Sequence, residues 1–206
     1  SSLFAPPGSY SVVLYDSNGN IHWESATFTG SDFDYATGPI LSDMDHDGSA
    51  EIVVGRVILN ADGSTRAVGI AGRGSIGGGM EASVPAVADL DLDGIEEVIV
   101  GNAIFSPDGA PIWIDWTQQD GMVGVANLDD DPEGEFVAVS HDTVRAMDTD
   151  GTVLWGPFTI TPVTQYSEFG GYQARCPFHR LNHKSGCKKM VPIMGPGLAD
   201  RKQAIH

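Results

Sequence analysis

The chain has 206 residues, 41% of them apolar, enough for one domain or two with an ordinary core and too many for a disordered polymer. No stretch approaches the ~18 consecutive apolar residues of a membrane helix, and the opening SSLFAPPGSY has no basic-then-apolar leader, so a soluble chain or an already processed or excised piece is expected. The net charge of −17 is unevenly placed: residues 1–171 hold 27 acidic side chains against Arg56, Arg66, Arg73 and Arg145, while residues 172–206 hold seven basic ones against Asp200. Such a body repels nucleic acid and anionic lipid, and its natural partner is a cation.

Taken in chain order, the first element is VVLYDSNGNIHW, two short apolar runs around an Asn-Gly turn, which predicts a β-hairpin because both turn residues tolerate positive φ. The pattern returns in VILNADGSTRAV, AIFSPDGAPIWI and VRAMDTDGTVLW, and the turn glycines Gly19, Gly63, Gly109 and Gly151 stand 44, 46 and 42 residues apart. Before each of the last three hairpins comes an acidic loop running into an apolar strand: SDMDHDGSAEIVVG from Ser42, ADLDLDGIEEVIVG from Ala88 and ANLDDDPEGEFVAV from Ala126. The short stretches PIL, PAVA and GVA supply one more strand ahead of each loop. One unit is therefore about four strands in roughly 40 residues, the size of a propeller blade. No segment has sustained helical periodicity.

In the acidic loops, carboxylates at positions 1, 3 and 5 converge on one side of a tight turn. Glycine at 6 permits the bend, and position 7 offers a carbonyl, an oxygen-only set suited to a hard cation, most simply calcium. Loop one supplies Asp43, Asp45, Asp47, the Ser49 carbonyl and Glu51; loop two supplies Asp89, Asp91, Asp93, the Ile95 carbonyl and Glu97. Loop three supplies Asn127, Asp129, Asp131, the Glu133 carbonyl and Glu135, but Pro132 stands where the glycine should be, so two full sites and one weaker site are expected. An EF-hand needs a bidentate Glu at position 12, and Val54, Val100 and Ala138 stand there instead. Solvated acidic turns are the plain alternative, and three loops in register, each with Glu at position 9, weigh against it.

The stretches DMDHDGSAEIVVG and DLDLDGIEEVIVG resemble the calcium-binding motif of FG-GAP or VCBS-type repeats, found in the β-propeller of integrin alpha chains and in secreted proteins. The resemblance covers about residues 10–160. It implies an all-β, propeller-type fold whose calcium ions rigidify loops on one face, with ligands at positions 1, 3, 5 and 9. Three complete units and one extra hairpin make an incomplete or small ring, or a protomer completed by other copies through its unpaired blade edges.

Residues 1–171 thus read as the repeat domain and 172–206 as a basic tail of another kind. In the tail, Cys176, His179, His183 and Cys187 suit a disulfide between the cysteines, a zinc site, or no pairing at all. Trp23, Trp113 and Trp155 each follow a turn glycine by four residues, as inter-repeat packing would require, and Ala67 takes that place in the second hairpin. Trp116 breaks the register and is the one aromatic to test for ligand stacking, with ordinary packing as the alternative. No catalytic motif stands out: GRGSIGGGM lacks the lysine of a phosphate loop, and His22, His46 and His141 are scattered. The expectation is a calcium-stabilised, secreted module for binding, adhesion or assembly, with extracellular protein or glycan partners and no catalysis of its own. The alternatives are a lectin, a polysaccharide lyase-like propeller, and a structural subunit of an extracellular polymer.

Overall fold

The computed structural model describes residues 8–34, 36–76 and 82–160, and the backbone of 164–166, 172–174, 178–180 and 190–192. The chain forms two compact units, Ser1–Ile160 and Thr161–His206. Every regular element among the described residues is a β-strand, and no helix is long and apolar enough to cross a membrane.

In the first unit, β1 (Ser9–Tyr10) pairs with β4 (Phe28–Thr29), and β2 (Val13–Tyr15) and β3 (Ile21–Glu24) form the Asn-Gly hairpin. Three four-stranded antiparallel meanders follow. The first contains β5 (Ile40–Ser42), β6 (Glu51–Val54), β7 (Val57–Leu59) and β8 (Thr65–Val68). The second contains β9 (Ala86–Ala88), β10 (Glu97–Val100), β11 (Ala103–Phe105) and β12 (Pro111–Ile114). The third contains β13 (Met122–Ala126), β14 (Glu135–Val139), β15 (Thr143–Met147) and β16 (Val153–Thr159). Each sheet is small and open, and among the described residues none closes on itself. In the second unit, β17 (Thr164–Tyr166) pairs with β18 (Tyr172–Ala174), and β19 (Phe178–Arg180) with β20 (Met190–Pro192).

The apolar runs in β6, β7, β10 and β11 do not alternate with polar residues because both faces of these strands are covered, as continuous apolar strands require. Ile52, Val54, Val57 and Leu59 pack towards Phe28 and Phe33 of the N-terminal segment, whereas Val53 and Ile58 face Val98, Val100, Ala103 and Phe105 of the second sheet. Ile99 and Ile104 then face Phe136, Ala138 and Met147 of the third. The first unit is thus a series of sheets in chain order, in which the first and second sheets each contribute one strand face to the core before them and one to the core after them. In each meander the acidic loop joins strands one and two and the Asp-Gly turn joins strands three and four. Antiparallel pairing therefore puts both at the same strand ends.

Candidate metal centres

The sequence brings three carboxylates together in each repeat. The triad side chains stand at positions 1, 3 and 9 in loops one and two and at 3, 5 and 9 in loop three, and in loops one and two a turn that folds back brings them together. His46 and Leu92, at position 4, take left-handed φ of 57° and 59°, and Gly48 and Gly94, at position 6, take 92° and 93°. A non-glycine residue in that region costs about 1 kcal/mol, so both loops repeat the same locally strained path. The turn is pinned from within: Gly48 N–H donates to Asp43 Oδ2 at 3.0 Å and Gly94 N–H to Asp89 Oδ2 at 3.0 Å. Asp47 and Asp93 accept from the Ser49 and Ile95 N–H groups, both at 2.8 Å.

Three triads result, Asp43/Asp45/Glu51, Asp89/Asp91/Glu97 and Asp129/Asp131/Glu135, each with one oxygen per residue within 4.8 Å of the others. Position-9 Glu51, Glu97 and Glu135 are buried at the start of β6, β10 and β14, and each accepts the N–H of loop position 2, from Met44 (3.0 Å), Leu90 (2.8 Å) and Leu128. The glutamate therefore ties the loop to the sheet with one oxygen; the other accepts from Arg66 in loop one and has no partner in loop three. Asp47 and Asp93 lie outside the triads and hold the turn, while Asn127 directs its amide nitrogen to the carbonyls of Asp131 (2.5 Å) and Glu133 (3.3 Å). In loop three the position-7 carbonyl is thus already engaged.

Buried oxygens without a hydrogen-bond partner occur in all three loops: Asp43 Oδ1, Asp89 Oδ1 and Glu135 Oε1. Such an atom costs ~1–3 kcal/mol or more unless something binds it. Three acidic oxygens around that gap, with no nitrogen or sulfur, fit a hard cation. The electrostatics agree. Burial, together with the charges of Asp91, Asp89 and Asp93, pushes the Glu97 carboxyl up to about 7 from 4.5. Desolvation and the charges of Asp129, Glu133 and Glu135 likewise raise Asp131. The three acidic triads could each hold a metal ion.

Loop one differs from loop two in a way its motif does not announce. Arg66, projecting from β8, donates to Asp45 Oδ2 at 2.5 Å and to Glu51 Oε1 at 2.8 Å, so a guanidinium already neutralises two of its three carboxylates. The hydrogen bond from Arg66 holds Asp45 below the usual carboxylate range. The signal was available in the repeat register, because the equivalent places after Gly109 and Gly151 are Ile112 and Leu154.

At the opposite strand ends the chemistry is structural. Asp120 accepts five backbone N–H bonds, from Arg73, Gly74, Ser75, Gly101 and Gly121, at 2.8–3.2 Å, and so ties three connections together. Buried Arg145 donates to Ser140 Oγ (3.2 Å) and to the carbonyls of Gln119 (2.6 Å) and Gly101. A pocket of about 460 Å³ beside Asp120 is lined further by Arg73, Ser75, Ile76, Gln119, His141 and Asp142. Trp116 is 70% exposed in the same β12–β13 connection as Gln119. Of the tail residues, Cys176, His183 and Cys187 lie outside the described residues, and for His179 the structure gives only a place in β19, opposite Val191.

The class defined by these features is an all-β protein of small antiparallel sheets bearing three acidic triads. No protein-family model matches the chain, and no curated protein does. Among solved structures, the chain is similar to the V. cholerae biofilm matrix protein Bap1, with 21% identity and a TM-score of 0.55 over 70% of this chain and 24% of that one. It is also similar to rhamnogalacturonan lyase YesW, at 18% identity and a TM-score of 0.46 over 68% of this chain and 25% of that one. The chain thus spans about a quarter of the length of either structure. At such identities the likeness to Bap1 is one of fold.

Proposed function

We propose that residues 1–171 form a calcium-stabilised, propeller-type repeat domain of the FG-GAP or VCBS kind, acting outside the cell as a binding, adhesion or assembly module without catalysis of its own. One observation carries this reading: a buried carboxylate oxygen without a partner recurs beside an acidic triad in three successive repeats. Calcium is the hard cation abundant outside cells, and oxygen-only loops of modest charge serve extracellular modules at ~10⁻⁴–10⁻³ M. Asp43, Asp45 and Glu51, then Asp89, Asp91 and Glu97, then Asp129, Asp131 and Glu135 would hold the ions. An ion that binds the folded loops alone stabilises them by mass action. The fold likeness to a biofilm matrix protein supports a setting among extracellular proteins and glycans.

The test is thermal unfolding in millimolar calcium against excess chelator, with bound ions counted by titration. A lower midpoint in chelator, and one ion fewer in Asp91→Ala, are expected. Equal midpoints, or an unchanged ion count in that variant, would overturn the assignment. Glycan binding is a second reading, favoured by the exposed Trp116 ring in the β12–β13 connection, which also carries Gln119 of a neighbouring pocket lining. Oligosaccharide binding that Trp116→Ala abolishes without altering the midpoint would establish it.

A further inference from the structure

The repeats touch through one recurring contact. The residue four places after each turn glycine covers the turn glycine of the next hairpin. A Cβ added to Gly63 would lie 2.6 Å from the Trp23 ring, one on Gly109 would lie 2.9 Å from the Ala67 Cβ, and one on Gly151 would lie 2.0 Å from Trp113 Nε1. Trp23 also donates from Nε1 to the Ala61 carbonyl, two residues before Gly63, at 3.1 Å. Glycine is needed at these turns because an indole, or at Gly109 the Ala67 methyl group, rests directly on the backbone.

Among the described residues the series is uncovered at both ends. Around Gly19, the first turn glycine, nothing lies within 4 Å of an added Cβ. Tyr15 beside it is 59% exposed, although its repeat equivalents Leu59, Phe105 and Met147 are at most 1% exposed and pack against the preceding sheet or segment. At the other end, no turn glycine of a further hairpin among the described residues lies against Trp155. It is 38% exposed and stacks, among the described residues, on Phe158 of its own strand, with Val153 and Leu154 exposed beside it. Leu128, whose equivalents Met44 and Leu90 are buried, is exposed as well.

We infer that these ends are the two halves of one head-to-tail interface, in which Trp155 of one copy of this chain docks on the Asn18-Gly19 turn of a second copy. The inference deepens the assembly reading above and rests on it. The occupant is a second copy because the required partner is a hairpin with a bare turn glycine and an unburied residue at the Leu59 position, and the chain carries one. By the internal pattern, Trp155 Nε1 would donate to the Ser17 carbonyl of the neighbour, as Trp23 does to Ala61, and Tyr15 would fill the place against the third sheet that Leu59 fills against the N-terminal segment. Because the two surfaces differ, each copy keeps one free half after docking, so the contact propagates into open or cyclic assemblies rather than stopping at a symmetric dimer.

The experiment uses the full chain in saturating calcium, with mass measured by sedimentation from micromolar to millimolar concentration. Trp155→Ala blocks the rear half and Tyr15→Glu the front half, and both side chains are exposed in the single chain, so the unfolding midpoint should stay within a few degrees of wild type. Wild type is expected to exceed two chains in mass, each variant to remain a single chain, and the equimolar mixture to form two-chain complexes and no larger ones. That complementation distinguishes a head-to-tail contact from a symmetric one. A wild type that stays single at millimolar concentration, variants that associate like wild type, or a mixture that stays single would overturn the inference. The latter includes the case in which another segment of the same chain covers Trp155. Repeating the series in chelator separates the two readings. Association of a folded chain whose midpoint ignores calcium refutes the calcium reading alone, and absence of association from a calcium-stabilised chain refutes this one alone.

Discussion

Glu97→Gln should change sign with calcium. Glu97 is buried against Asp89 and Asp91, and its carboxyl is pushed up to about 7 from 4.5 by burial first and by the neighbouring aspartates next. A shift of that size is worth ~3 kcal/mol if fully expressed, and solvent screening across the open side of the loop reduces it to about 1–2 kcal/mol. Glutamine can still accept the Leu90 N–H and carries no charge, so at pH 8 in chelator the variant should be more stable by that amount. A raised carboxyl pKa favours the folded state below about pH 4.5, and the advantage is lost as pH rises to about 7. The gap between wild type and variant in chelator should therefore open over that interval and vanish below it. In calcium the order reverses, because one occupied site at a hundred times its Kd contributes ~2.7 kcal/mol that the variant forfeits. Wild type should then lead by about 1 kcal/mol. For a unit of this size each kcal/mol moves the midpoint by ~2–4 °C, so differential scanning calorimetry in four conditions resolves the crossing. A variant less stable in both calcium and chelator would refute the electrostatic account of the loop.

Arg66→Ala should raise the calcium affinity of loop one, by about tenfold or more, since the guanidinium on Asp45 and Glu51 occupies the charge an ion would use. Calorimetric titration of the variant checks it, and unchanged or weaker binding would show that Arg66 supports the site instead. Trp113→Ala removes the ring that covers the Gly151 turn and packs on Phe136 with centroids 6.1 Å apart, and should cost ~3–5 kcal/mol in denaturant unfolding. Trp155→Ala, at the equivalent place, should cost under about 1 kcal/mol in the dissociated chain because no hairpin lies over it.

Much of this was legible because repeat proteins write the same local chemistry several times. Asn-Gly and Asp-Gly between apolar runs specify hairpins through backbone sterics alone, and all four formed at the expected glycines, each with positive φ. The acidic triads were legible for the same reason, since carboxylates at fixed spacing need no long-range information. Trp23 and Trp113 cover the next turn as their register implied, whereas Trp155 remains exposed. What the loop motif by itself does not state is which residues distant in the chain come to meet it. Arg66 reaches loop one from 15 and 21 residues away, and Asp120 gathers N–H groups from up to 47 residues away. The position-9 glutamate reads as a ligand in sequence, and only the fold reveals its second duty of fixing the loop N–H of position 2.

The same sheet order predicts where the first unit opens first. Each acidic loop is braced by the next: the Met44 carbonyl accepts the Glu96 N–H at 2.9 Å, and the Leu90 carbonyl accepts the Gly134 N–H at 2.8 Å. Loop three has no such brace among the described residues, and it lacks the left-handed positions 4 and 6 of its counterparts. Strands β10 and β11 are buried on both faces between two complete sheets, whereas β16 is largely exposed. Local opening follows burial and hydrogen-bond protection rather than chain position. Amide exchange in the dissociated, calcium-loaded chain should therefore be slowest in β10 and β11, intermediate in β6 and β7, and fastest in β16 and loop three. Saturating loop three with calcium should slow exchange at Glu135 and Phe136 more than at Val98 and Ile99, because those inner amides already open only with the whole unit. Equal protection across the three sheets would mean that they unfold as a single cooperative block, and that bracing between successive loops does not govern local stability.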